Sequence, residues 1–187
     1  MAGLKRPRGP IIIVTGLHGV GKSTFAAPLA REFNLKYVST GSVFRSIAEK
    51  KGLTLAQLSE LCKKSPDFDK EIDSVTLSLL DSGGVVLDSL LAGWFARNVE
   101  SFKIYLKAPF EERCRRIAAR EKRPLEEIVS ETIIREESER KRFVEYYGFN
   151  IDDLSIYDII IDTGSLSQES VDRILKLAVS SYLKEKW

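Results

Sequence analysis

Apolar residues in this chain fall in short dense runs, separated by longer stretches where they recur every three or four positions. Ile11 to Thr15 is almost wholly β-branched and lies between Pro10 and Gly16, which predicts a strand buried on both faces. Lys36 to Ser39, GGVVLDS (83–89), FKIYLKAP (102–109) and YDIIIDT (157–163) read as four further strands. Between the strands the period changes. Phe25, Leu29 and Phe33 share one face of a helix predicted over Lys22 to Phe33, which Pro28 is expected to kink. Helices are predicted at Ser42 to Lys51, stopped by Gly52, and at Leu55 to Lys63. Another runs from Asp67 to Leu80, with Ile72, Val75, Leu79 and Leu80 as its apolar stripe. Phe110 to Glu121 and Glu169 to Lys184 are helical, and a longer helix with Pro124 at its first position ends near Tyr147, before Gly148. Strands alternating with helices predict an α/β fold with a mostly parallel sheet of five strands. The helical block between the second and third strands exceeds a plain crossover and reads as an inserted subdomain.

Composition narrows the class. A chain of 187 residues suits one domain with a small insertion. Net charge is +2, with 43% hydrophobic and 30% charged residues, a balance that argues against a nucleic-acid partner. Cys62 and Cys114 lie far apart in no CxxC pattern, so they read as small apolar residues rather than zinc ligands or a disulfide. No apolar run approaches the roughly 18 residues of a membrane helix. The opening MAGLKRPRGPIIIVTG has the charge of a signal peptide, but its apolar stretch is too short. A cytoplasmic enzyme is expected; its oligomeric state is open.

GLHGVGKST, residues 16–24, follows the first strand and opens the first helix. Gly16-x-x-x-x-Gly21-Lys22-Ser23 is the phosphate-loop pattern in its proper context. Glycines let the backbone curl so that its N–H groups face phosphate oxygens, and the helix N-terminus adds its dipole. Gly16, Leu17, His18, Gly19, Val20, Gly21, Lys22, Ser23 and Thr24 are therefore the expected nucleotide-phosphate-binding residues, with Lys22 supplying charge to the β- and γ-phosphates. Ser23 is the expected Mg²⁺ ligand together with Asp88, the acid that ends the strand VVLD. His18 is the only histidine, and a loop-packing or water-facing role is expected for it.

Arg113, Arg116 and Arg120 recur at i, i+3 and i+7 on one helix face, and Arg135 and Arg142 stand seven apart on the next helix. Glu136, Glu137 and Glu139 are interleaved, which is also the pattern of a solvated helix laced with ion pairs. Beside a phosphate loop the arginines have a second use, since converging guanidinium groups stabilise a transferring phosphoryl group. Two such helices joined at Lys122, Arg123 and Pro124 are expected to form a hairpin lid that excludes water.

Taken together, the phosphate loop, YVSTGSVFR, LLAGW, REESERKRF and YYGFNIDDLSIYDIIIDT resemble the archaeal-type cytidylate kinases, a branch of the nucleoside monophosphate kinases, from Ile11 to about Leu175. The resemblance implies a P-loop NTPase fold: a five-stranded parallel sheet flanked by helices, with a helical monophosphate-binding insertion and a short helical lid. It divides the single domain into a core (11–40, 83–110, 155–187), an insertion (about 41–82) and a lid region (about 113–150). It implies phosphoryl transfer from Mg-ATP to CMP or dCMP. Arg45 would hold the acceptor phosphate, with Thr40, Gly41 and Gly93 beside the acceptor and Arg116, Arg120, Arg135 and Arg142 as lid arginines. The chain departs from the family pattern at Ser42, where an acid is usual, and at Ser74 and Leu90, where arginine is usual. Two other readings stay open: the same kinase fold with another acceptor (a nucleotide, nucleoside or hydroxylated molecule, for which Asp88 would be the base), and a nucleotide-binding switch or RNA-associated ATPase.

Overall fold

The structure, a computed structural model, describes residues 5–53, 57–58, 61–62 and 67–187. Five strands form one parallel sheet: β1 (Ile11–Thr15), β2 (Lys36–Ser39), β3 (Val85–Asp88), β4 (Phe102–Lys107) and β5 (Ile159–Asp162). Their order is β2-β3-β1-β4-β5, with β1 at the centre. The helices with described bounds are α1 (Lys22–Glu32), α2 (Thr40–Lys50), α3 (Asp67–Ser82), α4 (Ala92–Phe95), α5 (Phe110–Glu121), α6 (Leu125–Tyr147) and α7 (Gln168–Lys186). The described residues 57, 58, 61 and 62 are helical too, and the rest of the helix expected over 55–63 lies outside the described residues. Among the described residues no helix is long and apolar enough to cross a membrane.

Strand β1 is buried along its whole length because both sheet faces are covered. Ile12 and Val14 face a core shared with Phe25 and Leu29 of α1 and with Val171, Leu175 and Val179 of α7. Ile11 and Ile13 face the other side, against Leu80 of α3 and Ala92 and Ala96 around α4. Each such side chain stabilises the fold by about 1.5–3 kcal/mol on full burial, so a strand apolar on both faces belongs at the centre of the sheet. Cys62 and Cys114 are both buried and free, as small apolar residues are.

Differences from the expected elements are local. Helix α1 runs through Pro28 unbroken. The proline lacks an N–H, but the helix is held on one side by Phe25, Ala26, Leu29 and Ala30, and that packing keeps it continuous. Pro124 stands one residue before α6, as its N-cap, rather than at the first helical position. Leu80 is buried as expected, whereas Val75 is 37% exposed, so the stripe of α3 is narrower than its spacing implies. The short helix α4 had no sequence signal, being only four residues long.

Because all five strands are parallel, their carboxyl ends share one edge, where open α/β sheets bind ligands. In register, Val14 pairs with Asp88 and Ile104, and Ser39 pairs with Asp88. The opposite edge closes by a backbone crossing: a Cβ on Gly83 would stand 2.2 Å from the Gly9 oxygen, whereas one on Gly84 would meet nothing within 4 Å. Both glycines have φ near +67° to +68°. Gly84→Ala is therefore expected to cost about 1–2 kcal/mol from backbone conformation alone, and Gly83→Ala at least about 1 kcal/mol more from the clash. Urea unfolding of the two variants measures the difference.

Candidate active site

The loop after β1 takes its shape from what crowds it. Gly16, Gly19 and Gly21 all have positive φ. A Cβ on Gly16 would stand 2.2 Å from the Leu106 oxygen, and one on Gly19 would stand 2.5 Å from the Arg113 oxygen. Strand β4 and helix α5 thus press on the loop from behind, and only glycine lets the chain pass. Lys22 Nζ donates to the Gly16 and Leu17 oxygens at 2.7 and 3.1 Å. Ser23 and Thr24 are exposed at the head of α1.

Asp88 is buried at the carboxyl end of β3. Its Oδ2 accepts from the Tyr37 hydroxyl at 3.1 Å, and the Thr40 hydroxyl donates to the Asp88 backbone oxygen at 3.4 Å. Burial pushes the Asp88 carboxyl up from its ordinary range, and Lys22 opposes the shift. Burial pushes Lys22 down, and Asp88 opposes that. A polyanion facing Lys22 and a cation facing Asp88 are the partners this chemistry asks for. Curled glycines and a lysine at a helix head fit a nucleotide's phosphates, and the buried Asp88 carboxylate fits a cation such as Mg²⁺. Tyr37 is pushed up to about 12, first by burial and then by Asp88. Arg45 lies over Gly41, with Nη1 3.6 Å from where a Gly41 Cβ would sit, and its charge acts on Asp88 and Tyr37. Arg45 therefore borders the same carboxyl edge as Lys22.

The arginines of α5 and α6 go to different partners. Arg113 is buried and forks onto Glu136, with Nη1 on Oε1 and Nη2 on Oε2 at 3.2 Å, while Nη1 also donates to the His18 oxygen at 2.9 Å. Arg116 donates to the Thr163 hydroxyl and backbone oxygen at 3.0 and 2.7 Å. Arg120 is 68% exposed and pairs with Glu121, beside it in sequence. The shared face of Arg113, Arg116 and Arg120 thus does not deliver three guanidinium groups to one point, because seven residues of rise along a rigid helix carry Arg120 out to solvent. Arg142 lies against the Phe143 ring, 5.4 Å from its centroid.

Arg135 of α6 reaches the loop through Glu139. Its Nε donates to Glu139 Oε1 at 3.1 Å, and Glu139 Oε2 lies 2.7 Å from His18 Nε2. His18 is not water-facing; its side chain is 19% exposed and bound. Burial lowers the imidazole's pKa from its ordinary 6.5, more than Glu139 raises it. Burial alone would raise Glu139, but His18 and then Arg135 outweigh it and bring the carboxyl down to about 2. Glu136 and Glu139, read from sequence as part of a solvated lace, are buried. The missed signal was their phase: Ile128, Thr132, Glu136, Glu139 and Phe143 form the inward stripe of α6.

On the acceptor side, Ser42 donates to the Ser39 oxygen at 2.6 Å and Ser74 to the Glu71 oxygen at 2.7 Å, so both hydroxyls fold back on their own segments. Leu90 packs on an aromatic cluster of Trp94, Phe143 and Phe149, with Arg97 5.5 Å over the Phe149 ring. Gly93 is buried under Tyr157, where a Cβ would stand 2.8 Å from the ring, so this glycine serves helix-to-ring packing. Asp73 of α3 accepts from the Tyr147 hydroxyl at the end of α6, joining those two helices.

A family model described as an AAA domain matches residues 12–142. A cytidylate kinase of Staphylothermus marinus is 43% identical over 94% of this chain and 99% of its own. One from Aeropyrum pernix is 44% identical over 87% of this chain and 95% of its own. One from Pyrococcus horikoshii is 38% identical over 90% and 88%. Among solved structures, the shikimate kinase of Bacteroides thetaiotaomicron matches with a TM-score of 0.59 at 17% identity, covering 91% of this chain and 98% of that one. A gluconokinase of Sinorhizobium meliloti matches at 0.57 and 14% identity, covering 96% and 99%. At those identities the likeness shows the fold.

Glu136→Ala leaves Arg113 buried without its carboxylate and is expected to destabilise by about 3–5 kcal/mol, whereas Glu137→Ala at an exposed position should stay within about 0.5 kcal/mol; urea melts compare them. The depressed pKa of His18 gives a second expectation. Below 6.5 the unfolded chain takes up the proton first, so the stability this site contributes is complete above 6.5 and falls as pH falls. Glu139 acts in the same direction at lower pH, from its ordinary 4.5 towards 2. Thermal melts of wild type and His18→Gln between pH 7 and pH 5 check the histidine's share, which the variant should lose.

Proposed function

The chain belongs to the AAA-domain family and, within it, to the cytidylate kinases; we propose that it transfers the terminal phosphoryl group of Mg-ATP to CMP or dCMP, giving ADP and CDP or dCDP. The observation that carries this reading is the grouping of Lys22 and Arg45 around Asp88 at the carboxyl edge of the sheet, with Arg135 acting on Lys22 from the lid side. An oxygen of the acceptor monophosphate forms the new bond to the γ-phosphorus as the bond from that phosphorus to the β–γ bridging oxygen breaks. The attacking group is already an anion, so no protein base is needed. What the residues supply is position and charge.

Lys22 and the backbone N–H groups of Gly16–Thr24 hold the donor phosphates. Arg45 holds the acceptor phosphate, with Thr40 and Gly41 beside it. Arg135 neutralises charge on the transferring group, joined by Arg142, Arg116 and Arg120 if the lid closes further than this structure shows. Ser23 and Asp88 would hold Mg²⁺, which would supply positive charge to the phosphate oxygens. Residues 41–82 act as the monophosphate-binding insertion and 113–150 as the lid, which together keep water from the phosphoryl group. The Tyr37 hydrogen bond orients the Asp88 carboxylate. We place the enzyme in the cytoplasm, acting on free nucleotides.

A coupled ADP-release assay with Mg-ATP tests the reading. Turnover with CMP or dCMP is expected at least tenfold above UMP, AMP and nucleosides; no stimulation by any monophosphate would overturn it. Lys22→Ala should lower kcat by about 10²–10³-fold, and wild-type-like turnover in that variant would remove the loop from the chemistry.

A further inference from the structure

We propose that His18 is a positioning residue for phosphoryl transfer: through Glu139 it sets where Arg135 stands over the phosphate loop. The proposal rests on the kinase reading and goes beyond it, since it concerns the third residue of the loop pattern, a position the pattern leaves free.

The contacts form a continuous relay. His18 is held at two points by two helices. Its backbone oxygen accepts from Arg113 of α5, and its ring Nε2 meets Glu139 of α6 at 2.7 Å. Glu139 divides its two oxygens, Oε2 to His18 and Oε1 to Arg135 Nε at 3.1 Å. A carboxylate engaged at both oxygens has a fixed plane, and with it a fixed direction for the guanidinium. With the carboxylate ionised, Nε2 carries the proton and donates it to the bond. Arg135 uses Nε for this contact, which leaves its two terminal amino groups for a phosphate. Its side chain is 56% exposed while its charge acts on both Lys22 and His18, so it stands at the mouth of the loop and not beneath it.

A purely structural latch would need only the Arg113–Glu136 pair, which already joins the two helices to the loop backbone. The added His18–Glu139–Arg135 chain leads away from the core towards the reacting phosphate. Its geometric logic is that of a side chain acting through another: misplacing a charge by about 1 Å costs up to about 10²-fold in rate.

Steady-state kinetics and proton NMR together test the relay. His18→Ala is expected to lower kcat by about 10- to 100-fold while KM for CMP and ATP stays within about twofold. His18→Gln, whose amide N–H reaches towards the same carboxylate, should recover most of the loss. In an Arg135→Ala background, adding His18→Ala should change kcat by less than about twofold, because the two act in series. A full second loss in the double variant, or a change confined to KM or to melting temperature, overturns the proposal. Glu139→Gln carries the same kinetic expectation should His18→Ala fold poorly. The imidazole is the only one in the chain, so its titration can be followed without any substrate. Glu139→Gln should lower its midpoint and Arg135→Ala should raise it, since the first removes an attracting charge and the second a repelling one. An imidazole indifferent to both substitutions overturns the relay. Absence of monophosphate-dependent turnover in the wild type overturns the kinase reading, and the titration still judges the relay.

Discussion

Arg113 spends one guanidinium on two partners at once, the Glu136 carboxylate and the backbone oxygen of His18. Both charges are almost fully buried. A buried pair of this kind gains little net stability over apolar residues of the same shape, but breaking it by removing one partner is costly. Its consequence is geometric. The pair joins α5 to α6 and ties both to the loop that carries Lys22. Gly19 lets the loop approach closely enough for this, since any side chain there would run into the Arg113 backbone. Helices α5 and α6 and the phosphate loop are therefore joined by buried contacts.

The sheet supplies the other half of the site. Parallel strands put the ends of β1, β2 and β3 side by side, so Asp88 emerges next to the loop on one side and next to Tyr37 and Thr40 on the other. Lys22 and Asp88 carry opposite charges that burial alone pushes towards neutrality. They are matched to phosphate and a divalent cation, whose charges are the reverse of their own. Arg45 on α2 borders the same edge. Positioned charge of this kind is what phosphoryl transfer requires of a protein.

The acceptor side shows how a departure from a pattern is absorbed. Ser42 and Ser74 return their hydroxyls to their own backbone, and Leu90 joins an aromatic cluster. Each residue is satisfied where it stands, so the local fold tolerates all three.

Short apolar runs, the glycine spacing of the loop and the acid closing VVLD determined the sheet, its parallel sense, the phosphate loop and Asp88, because each depends on neighbours within a few residues or on a period that burial imposes. Helix faces were legible in the same way, but not what lies opposite them. The spacing of Arg113, Arg116 and Arg120 promised one destination, and packing sent them to a buried glutamate, a strand end and solvent. Glu136 and Glu139 resembled surface charges because charged residues seldom face inward. Only the docking of α6 on α5 and on the loop decided that they do, and it made His18, a freely variable position in one dimension, the partner of a residue 121 positions away.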